Sequence, residues 1–151
     1  MIIRHFKFAC ALVAGLFCVS SFAWAAPERY ATVQDLEGTL MFQRTGMEGW
    51  KSAHPGDQLL MGDVVKTDAA SKAKLLFHGQ SEAFVEVRPA TQMTLASVGS
   101  VDDADDTEIQ LALGSVKVKA DKLKGKMSRF EVKTPNSVVG IRGTEFEVAV
   151  P

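Results

Sequence analysis

The sequence predicts an all-β domain made of many short strands. Three observations support this: apolar and polar residues alternate in several segments, glycine-containing turns separate those segments, and no window shows a long amphipathic helix with a cap and a stop. Such a pattern is typical of a roll, sandwich, barrel or solenoid of strands. Between Asp68 and Lys74 we expect one helical turn at most.

The clearest strands lie in the C-terminal half, where every second residue is apolar. This spacing gives a strand one dry face and one solvated face. Strands are predicted on this basis at 109–113, 116–118, 130–132 and 146–150. Less regular segments predict strands at 38–43, 64–67, 73–77 and 83–87. Glycine, proline and aspartate predict the turns between them, at Thr45-Gly46, Pro55-Gly56-Asp57, Gly62-Asp63, His78-Gly79-Gln80, Gly114, Lys124-Gly125 and Gly140.

The N-terminus has the three parts of a secretory signal peptide. Arg4 and Lys7 precede an uncharged apolar run over 8–19, and Ala23 and Ala25 form an A-x-A cleavage site. We therefore expect residues 1–25 to be removed by cleavage between Ala25 and Ala26. The mature chain, 26–151, is then one periplasmic domain with its core over about 30–150. The alternative is an uncleaved anchor, in which residues 8–26 stay in the inner membrane and the domain faces the periplasm.

Cysteine usage and charge exclude several classes of function. Cys10 and Cys18 both lie in the signal segment, so the mature chain has no disulfide and no thiolate metal site. Loss of Arg4 and Lys7 leaves 15 of the 17 basic residues against 18 acidic ones, a net charge of about −3. A mildly acidic domain lacks the basic surface that nucleic acid requires.

No catalytic or metal-binding pattern is visible in the mature sequence. Its two histidines, His54 and His78, have no zinc spacing, and no Gly-x-Ser-x-Gly elbow occurs. The acidic run over 101–108 is expected to be a solvated loop, because its paired acids lack the alternation and glycine of a calcium loop. The lysine-rich stretch 117–126 is expected to be a solvated segment facing it. We therefore expect a protein that is not an enzyme and has no cofactor.

Several motifs occur in a characteristic order. They are Gly49-Trp50, Pro55-Gly56-Asp57, Gly62-Asp63-Val64-Val65-Lys66-Thr67, Leu113-Gly114-Ser115-Val116, Phe130-Glu131-Val132-Lys133-Thr134-Pro135 and Gly140-Ile141-Arg142-Gly143-Thr144-Glu145-Phe146. This order strongly resembles the FecR domain, the extracytoplasmic module of ferric-dicitrate regulators, over about 30–150. The closing Thr-Pro followed by Arg-Gly-Thr-x-Phe is its most specific part.

The resemblance implies an all-β periplasmic module, solenoid-like or rolled, that serves in signalling and protein contact. The expected partner is another extracytoplasmic or membrane protein. Well-known members of the family pass a signal through a transmembrane helix to a segment that controls a sigma factor. This sequence has no cytoplasmic segment before its apolar run and ends at Pro151, where many relatives continue with further strands. We therefore expect no direct contact with a sigma factor.

The residues shared with the family are expected to be mainly structural. They are Gly56, Asp57, Gly62, Asp63, Thr134, Pro135, Arg142, Gly143, Thr144 and Phe146. Glycine and aspartate suit tight turns. Arg142, between apolar neighbours, is expected to brace the fold through a buried partner, although it could instead present its guanidinium to an anionic ligand. A carbohydrate or cell-wall binder that stacks sugars on Trp50 and Tyr30 is the alternative function. A small hydrolase is disfavoured by the missing nucleophile.

Overall fold

The computed structural model of the protein describes residues 30–78, 82–98, 100–101, 104–120, 129–141 and 145–151. These residues form strands and turns and contain no helix, which confirms the predicted all-β class. The strands are β1 (Tyr30–Glu37), β2 (Leu40–Gln43), β3 (Lys51–Ser52), β4 (Gln58–Leu60), β5 (Val64–Thr67), β6 (Lys72–Phe77), β7 (Ala83–Val87), β8 (Gln92–Ser97), β9 (Ser100–Val101), β10 (Ala104–Ala120), β11 (Arg129–Lys133), β12 (Val138–Ile141) and β13 (Glu145–Val150).

One curled sheet contains all of these strands, and the long strand β10 joins its two halves. In the first half, half A, the order is β4-β1-β6-β7-β10-β13. In the second, half B, it is β3-β2-β5-β8-β10-β11-β12. Every pairing is antiparallel except that of β10 with β11. Half A uses residues of β10 from Gly114 onward, and half B uses the residues before it.

Hydroxyl side chains hold together the corners at which the chain passes from one half to the other. Thr67 Oγ1 donates to the carbonyl of Arg88 at 2.7 Å and accepts from the amide of Thr91 at 3.1 Å. Thr91 Oγ1 in turn donates to the Ser115 carbonyl and accepts from the Ser115 amide, both at 3.1 Å. These bonds satisfy backbone groups that leave the sheet ladder at each corner.

The inner faces of the two halves share one apolar cluster. Alternate residues of each strand point into it, as the period of two requires. Its fully buried members come from half A, with Val33, Leu75, Val85 and Val118, and from half B, with Leu40, Val65, Leu95 and Ile109.

The acidic run is not the solvated loop that was expected. From Ala104 onward it belongs to β10, and residues 102 and 103 lie outside the described residues. The strand tolerates this charge because basic side chains of β11 neutralise it: Arg129 donates to Asp106 at 2.9 Å and Lys133 to Glu108 at 2.7 Å. Of the facing lysine stretch, 117–120 continues β10, and the rest lies outside the described residues.

Other local expectations differ from the structure in smaller ways. Gly114 and Gly140 lie within β10 and β12 rather than in turns. Gly114 keeps a positive φ of 87° because β10 bends there from half B to half A. The region 68–74 holds a tight turn, in which the Ser71 amide donates to the Asp68 carbonyl at 3.2 Å, and β6 begins at Lys72.

Candidate functional site

Among the described residues, a groove of about 540 Å³ lies between β12 and β13. Val139 and Ile141 line it from β12, and Phe146 and Val148 line it from β13. All four residues point toward the space between the two halves of the sheet, because they continue the inward-facing register of β11 and β10. The groove is therefore an opening into the apolar interior.

The groove is open because both strands beside it are sheet edges. Within the described part of the chain, β12 pairs only with β11, and β13 pairs only with β10. An edge strand presents unpaired backbone N–H and C=O groups, which can pair with another strand. Val138, which lies beside Lys133 on the outer face of β12, is 62% exposed.

The opposite end of the curled sheet is closed by the protein's own chain. The segment joining β3 to β4 crosses from half B to half A, and Ala53 at its start and Leu59 in β4 are both buried. The amide of Ala53 donates to the Leu40 carbonyl at 2.8 Å, and the amide of Val33 donates to the Asp57 carbonyl at 2.9 Å. No equivalent cover lies over the β12–β13 end among the described residues.

The residues Thr134 and Pro135 form the hairpin turn at one end of the groove. Thr134 donates its amide to the Ser137 carbonyl at 2.8 Å, and its hydroxyl accepts from the Asn136 amide at 3.4 Å. Thr134 and Ser137 both line the groove. Phe146, another shared family residue, lies in its apolar wall and is half-buried. Thr134 and Phe146, which both belong to the closing family motif, therefore meet at one surface.

The two Gly-Asp motifs form matching turns at the other end of the fold. Gly56 and Gly62 have φ values of 95° and 91°. In each turn the aspartate accepts from the backbone amide three residues earlier: Asp57 from His54 at 2.8 Å, and Asp63 from Leu60 at 2.9 Å. A Cβ atom on Gly62 would collide with the Thr45 hydroxyl. This geometry fits a turn-forming role for both motifs.

Asp63 differs from Asp57 because it is completely buried. Its Oδ2 also lies 3.5 Å from Nη2 of Arg44, whose guanidinium donates to the Gln58 carbonyl at 3.1 Å. Asp63 Oδ1 and Arg44 Nε find no hydrogen-bond partner among the described residues. Asp63 therefore ties the β4–β5 turn to the segment after β2.

Arg142, Gly143 and Thr144 lie outside the described residues, as does the cleavage site Ala25-Ala26. Their predicted roles stay predictions. The residues that flank the Arg-Gly-Thr segment are Ile141, which is buried, and Glu145, which is exposed and pairs with Lys117. That ion pair lowers the pKa of Glu145, chiefly through the hydrogen bond from the Lys117 ammonium.

The two aromatic residues of the carbohydrate alternative do not form a common platform. Trp50 packs over Lys66, whose Nζ lies 3.9 Å from the ring centroid, on the outer face of half B. Tyr30 stands on the outer face of half A and contacts the His78 ring at 4.8 Å between centroids. One ring face of Trp50 is thus occupied, and the two aromatic side chains lie on different faces of the protein.

An ion-pair cluster occupies the outer face of half B beside the groove. It joins β10 to β11 through Asp106, Glu108, Arg129, Glu131 and Lys133. The hydrogen bond from Lys133 lowers the pKa of Glu108, against the opposing effect of burial. Each basic group in the cluster already has a carboxylate partner, so the cluster stabilises the pairing of β10 with β11.

Within the described ranges, no group of three or more His, Cys, Asp or Glu side chains is arranged to hold a metal ion. In the same residues no helix has the length and apolar character needed to cross a membrane.

The sequence matches the family model described as FecR protein over residues 63–150. This range is shorter than the resemblance over about 30–150, and it begins at the buried Asp63 and includes both walls of the groove. No curated protein and no solved structure gives a significant match. Because the matched region is more than half of the chain, the protein belongs to the FecR family, whose domains are extracytoplasmic and regulatory.

Proposed function

We propose that this protein is a periplasmic signalling module that binds a partner protein through the groove between β12 and β13. The observation that carries this proposal is the end of the sheet at which β12 and β13, each paired with one strand among the described residues, flank a groove with apolar walls and polar groups at its rim. Recognition by edge strands and apolar pockets is a common way for β-domains to bind peptides and proteins. The signal peptide predicted at residues 1–25 supports delivery to the periplasm.

The proposed role is binding rather than catalysis. The groove carries Thr134, Ser137 and Glu147 as its polar groups and no histidine. His78 is instead hydrogen-bonded to Thr32 at 2.8 Å on half A, and His54 stands in the exposed turn beside Asp57. A hydrolytic site needs a nucleophile, a base and a group that orients the base within hydrogen-bond reach of one another. The groove residues that the structure describes do not supply that set.

The partner is proposed to be another extracytoplasmic protein or the periplasmic part of a membrane protein. Among the described residues the groove rim carries acidic rather than basic charge, which disfavours nucleic acid as the ligand. The occupied face of Trp50 and the distance in the fold between Trp50 and Tyr30 give the carbohydrate alternative no support.

Photo-crosslinking in living cells tests this proposal. A photo-reactive amino acid replaces Ser137, which lines the groove, in the full-length protein expressed in its own host. The matched control replaces Lys72, which is exposed on the outer face of half A. We expect a discrete protein adduct from position 137 and none from position 72. No adduct at position 137, or the same adduct at both positions, would contradict the proposal.

A further inference from the structure

The pattern of backbone hydrogen bonds between β11 and β12 determines which N–H and C=O groups of β12 can pair with a further strand. The Thr134 amide donates to the Ser137 carbonyl at 2.8 Å, so these residues form a hydrogen-bonded pair at the end of the β11–β12 hairpin. The next pairs along the ladder are Lys133 with Val138, Val132 with Val139, and Glu131 with Gly140.

Hydrogen-bonded and non-hydrogen-bonded pairs alternate along an antiparallel ladder. The pair at Val139 is therefore hydrogen-bonded to β11, whereas those at Val138 and Gly140 are not. It follows that Val138 and Gly140 direct their N–H and C=O groups away from β11, toward the open edge. These two residues offer four backbone groups to an added strand.

β12 is also the less protected of the two edges. Proteins commonly block exposed edges with charged side chains or proline. β13 carries Glu145 and Glu147, whereas β12 reads Val-Val-Gly-Ile and has neither charge nor proline. A Cβ atom built on Gly140 would meet nothing within 4 Å, so a neighbouring side chain could lie across that glycine.

The side chains around this edge determine which residue types suit the inward and outward positions of an added strand. Its inward-facing residues would enter the groove against Ile141, Phe146 and Val148, which favours apolar residues at alternate positions. Its outward-facing residues would lie beside Val138 and Gly140, in the rows of Lys133 and Glu131. Both of these charges already have partners, because Lys133 pairs with Glu108 and Glu131 pairs with Arg129. The outward rows therefore favour polar residues and select neither sign of charge.

We infer that β12 receives an extended segment of the partner protein, which adds to half B as a further strand. The segment alternates apolar residues, which fill the groove, with polar residues. This inference rests on the proposed function and specifies its mode of recognition. A second copy of this chain is a poorer occupant, because two four-residue edges meeting side by side bury far less than the roughly 1,200 Å² of a stable interface.

Proline substitution distinguishes strand addition from other binding at the same place. Gly140→Pro removes an N–H that points away from β11, a change that an edge strand tolerates. Gly140→Ala keeps the N–H and adds a Cβ atom into open space. Val138→Pro and Val138→Ala form a second matched pair. Urea unfolding of each variant identifies those that keep the parent's stability and can be compared.

The probe is a library of displayed random peptides of about ten residues, a strand with its flanks. We expect selection on the full mature protein to enrich sequences in which apolar and polar residues alternate. An enriched peptide should bind Gly140→Ala like the parent and Gly140→Pro at least about tenfold more weakly, because a backbone hydrogen bond is lost. Equal binding to the proline and alanine variants of either pair, or no enrichment, would overturn the inference.

The same variants separate this inference from the proposed function. If the adduct at position 137 persists in Gly140→Pro cells, the groove binds a protein but not by strand addition at β12. If no adduct forms even in the parent, the proposed function itself fails. If the parent protein has the mass of a dimer in solution and Gly140→Pro has that of a monomer, a second copy of the chain occupies the edge. That result would overturn the inference of a partner segment.

Discussion

Gly114 lies directly against Thr91 at the corner where β10 passes between the halves of the sheet. A Cβ atom on Gly114 would lie 2.5 Å from the Thr91 Cα and 2.6 Å from the Ala90 carbonyl oxygen. We expect Gly114→Ala to lower the free energy of unfolding by about 2–4 kcal/mol, because it adds both backbone strain and a collision. Urea unfolding monitored by tryptophan fluorescence measures this loss.

Gly46→Ala is the control for backbone strain alone. Gly46 also has a positive φ, 77°, but a Cβ atom there would meet nothing within 4 Å. Its replacement should cost only about 1–2 kcal/mol, the penalty of a left-handed conformation. Equal losses for the two variants would show that the close approach to Thr91 is unimportant.

Alternation of apolar and polar residues predicted several strands from the sequence, but β8 was not predicted although Met93 and Leu95 are buried at alternate positions in it. β11 and β13 follow the predicted alternation closely. β12 was missed because Val138-Val139-Gly140-Ile141 is apolar on both faces, which leaves no period of two. β1 was missed because a register shift between Val33 and Asp35 interrupts its alternation.

The groove could not be predicted because it depends on pairing between distant strands. Its walls arise because β11 joins β10 in parallel on half B while β13 joins the same strand on half A. No local pattern encodes which edges then remain open. Thr134 and Phe146 were singled out in the sequence only through the family resemblance, and the fold places both at this surface.

The buried carboxylate of Asp63 is expected to be the more important of the two turn aspartates. Asp63→Ala removes the acceptor of the Leu60 amide and leaves Arg44 without its carboxylate. We expect a loss of about 2–4 kcal/mol in the free energy of unfolding. Asp63→Asn keeps an acceptor oxygen and should lose less.

The exposed Asp57 provides the matched control for Asp63. It accepts the corresponding bond from the His54 amide in an equivalent turn. Asp57→Ala should cost about 1 kcal/mol, because water replaces the lost acceptor. If the two alanine variants unfold at the same urea concentration, burial of Asp63 does not determine its contribution.

The Glu108–Lys133 ion pair predicts a pH-dependent contribution to stability. The Lys133 hydrogen bond lowers the pKa of Glu108 in the folded state, so the pair stabilises the protein fully above the unfolded pKa of about 4.3. Its contribution is lost as the pH falls through the folded value. Lys133→Met should therefore cost about 0.5–1 kcal/mol at neutral pH and almost nothing near about pH 2. Urea unfolding at both pH values measures the difference.

Lys51→Met controls for the change from lysine to methionine itself. Lys51 is exposed on β3, and none of the described carboxylates pairs with it. Its replacement should have the same small effect at both pH values. A cost of Lys133→Met that does not change with pH would mean that packing of the lysine stem, rather than its charge, stabilises the fold.

We predict that the mature protein begins at Ala26. The Ala23-x-Ala25 site after the apolar run is the basis for this prediction. The intact mass of protein recovered from the periplasm should correspond to residues 26–151. A full-length species in the inner-membrane fraction would support the anchor formed by residues 8–26 instead.

We predict that Arg142 braces the fold from within. A buried, paired arginine leaves its partner uncompensated when it is removed, so Arg142→Ala should cost roughly 3–5 kcal/mol. Gly143→Val should also destabilise the protein, because it adds a branched side chain beside the apolar Ile141. The control Lys122→Ala, in the lysine-rich stretch that the sequence predicts to be solvated, should stay within about 0.5 kcal/mol of the parent. The urea concentration at which half of each variant is unfolded, compared with that of the parent, tests these three expectations.

The crosslinking variant at Ser137 separates the two roles considered for Arg142. If Arg142→Ala unfolds like the parent but abolishes the adduct at position 137, the guanidinium contacts the partner and does not brace the fold. The chain order makes this test informative, because Arg142 directly follows β12 and lies three residues before β13, the two strands that form the groove. A loss of stability that accompanies the loss of the adduct would support bracing, since a protein that is partly unfolded does not form the groove.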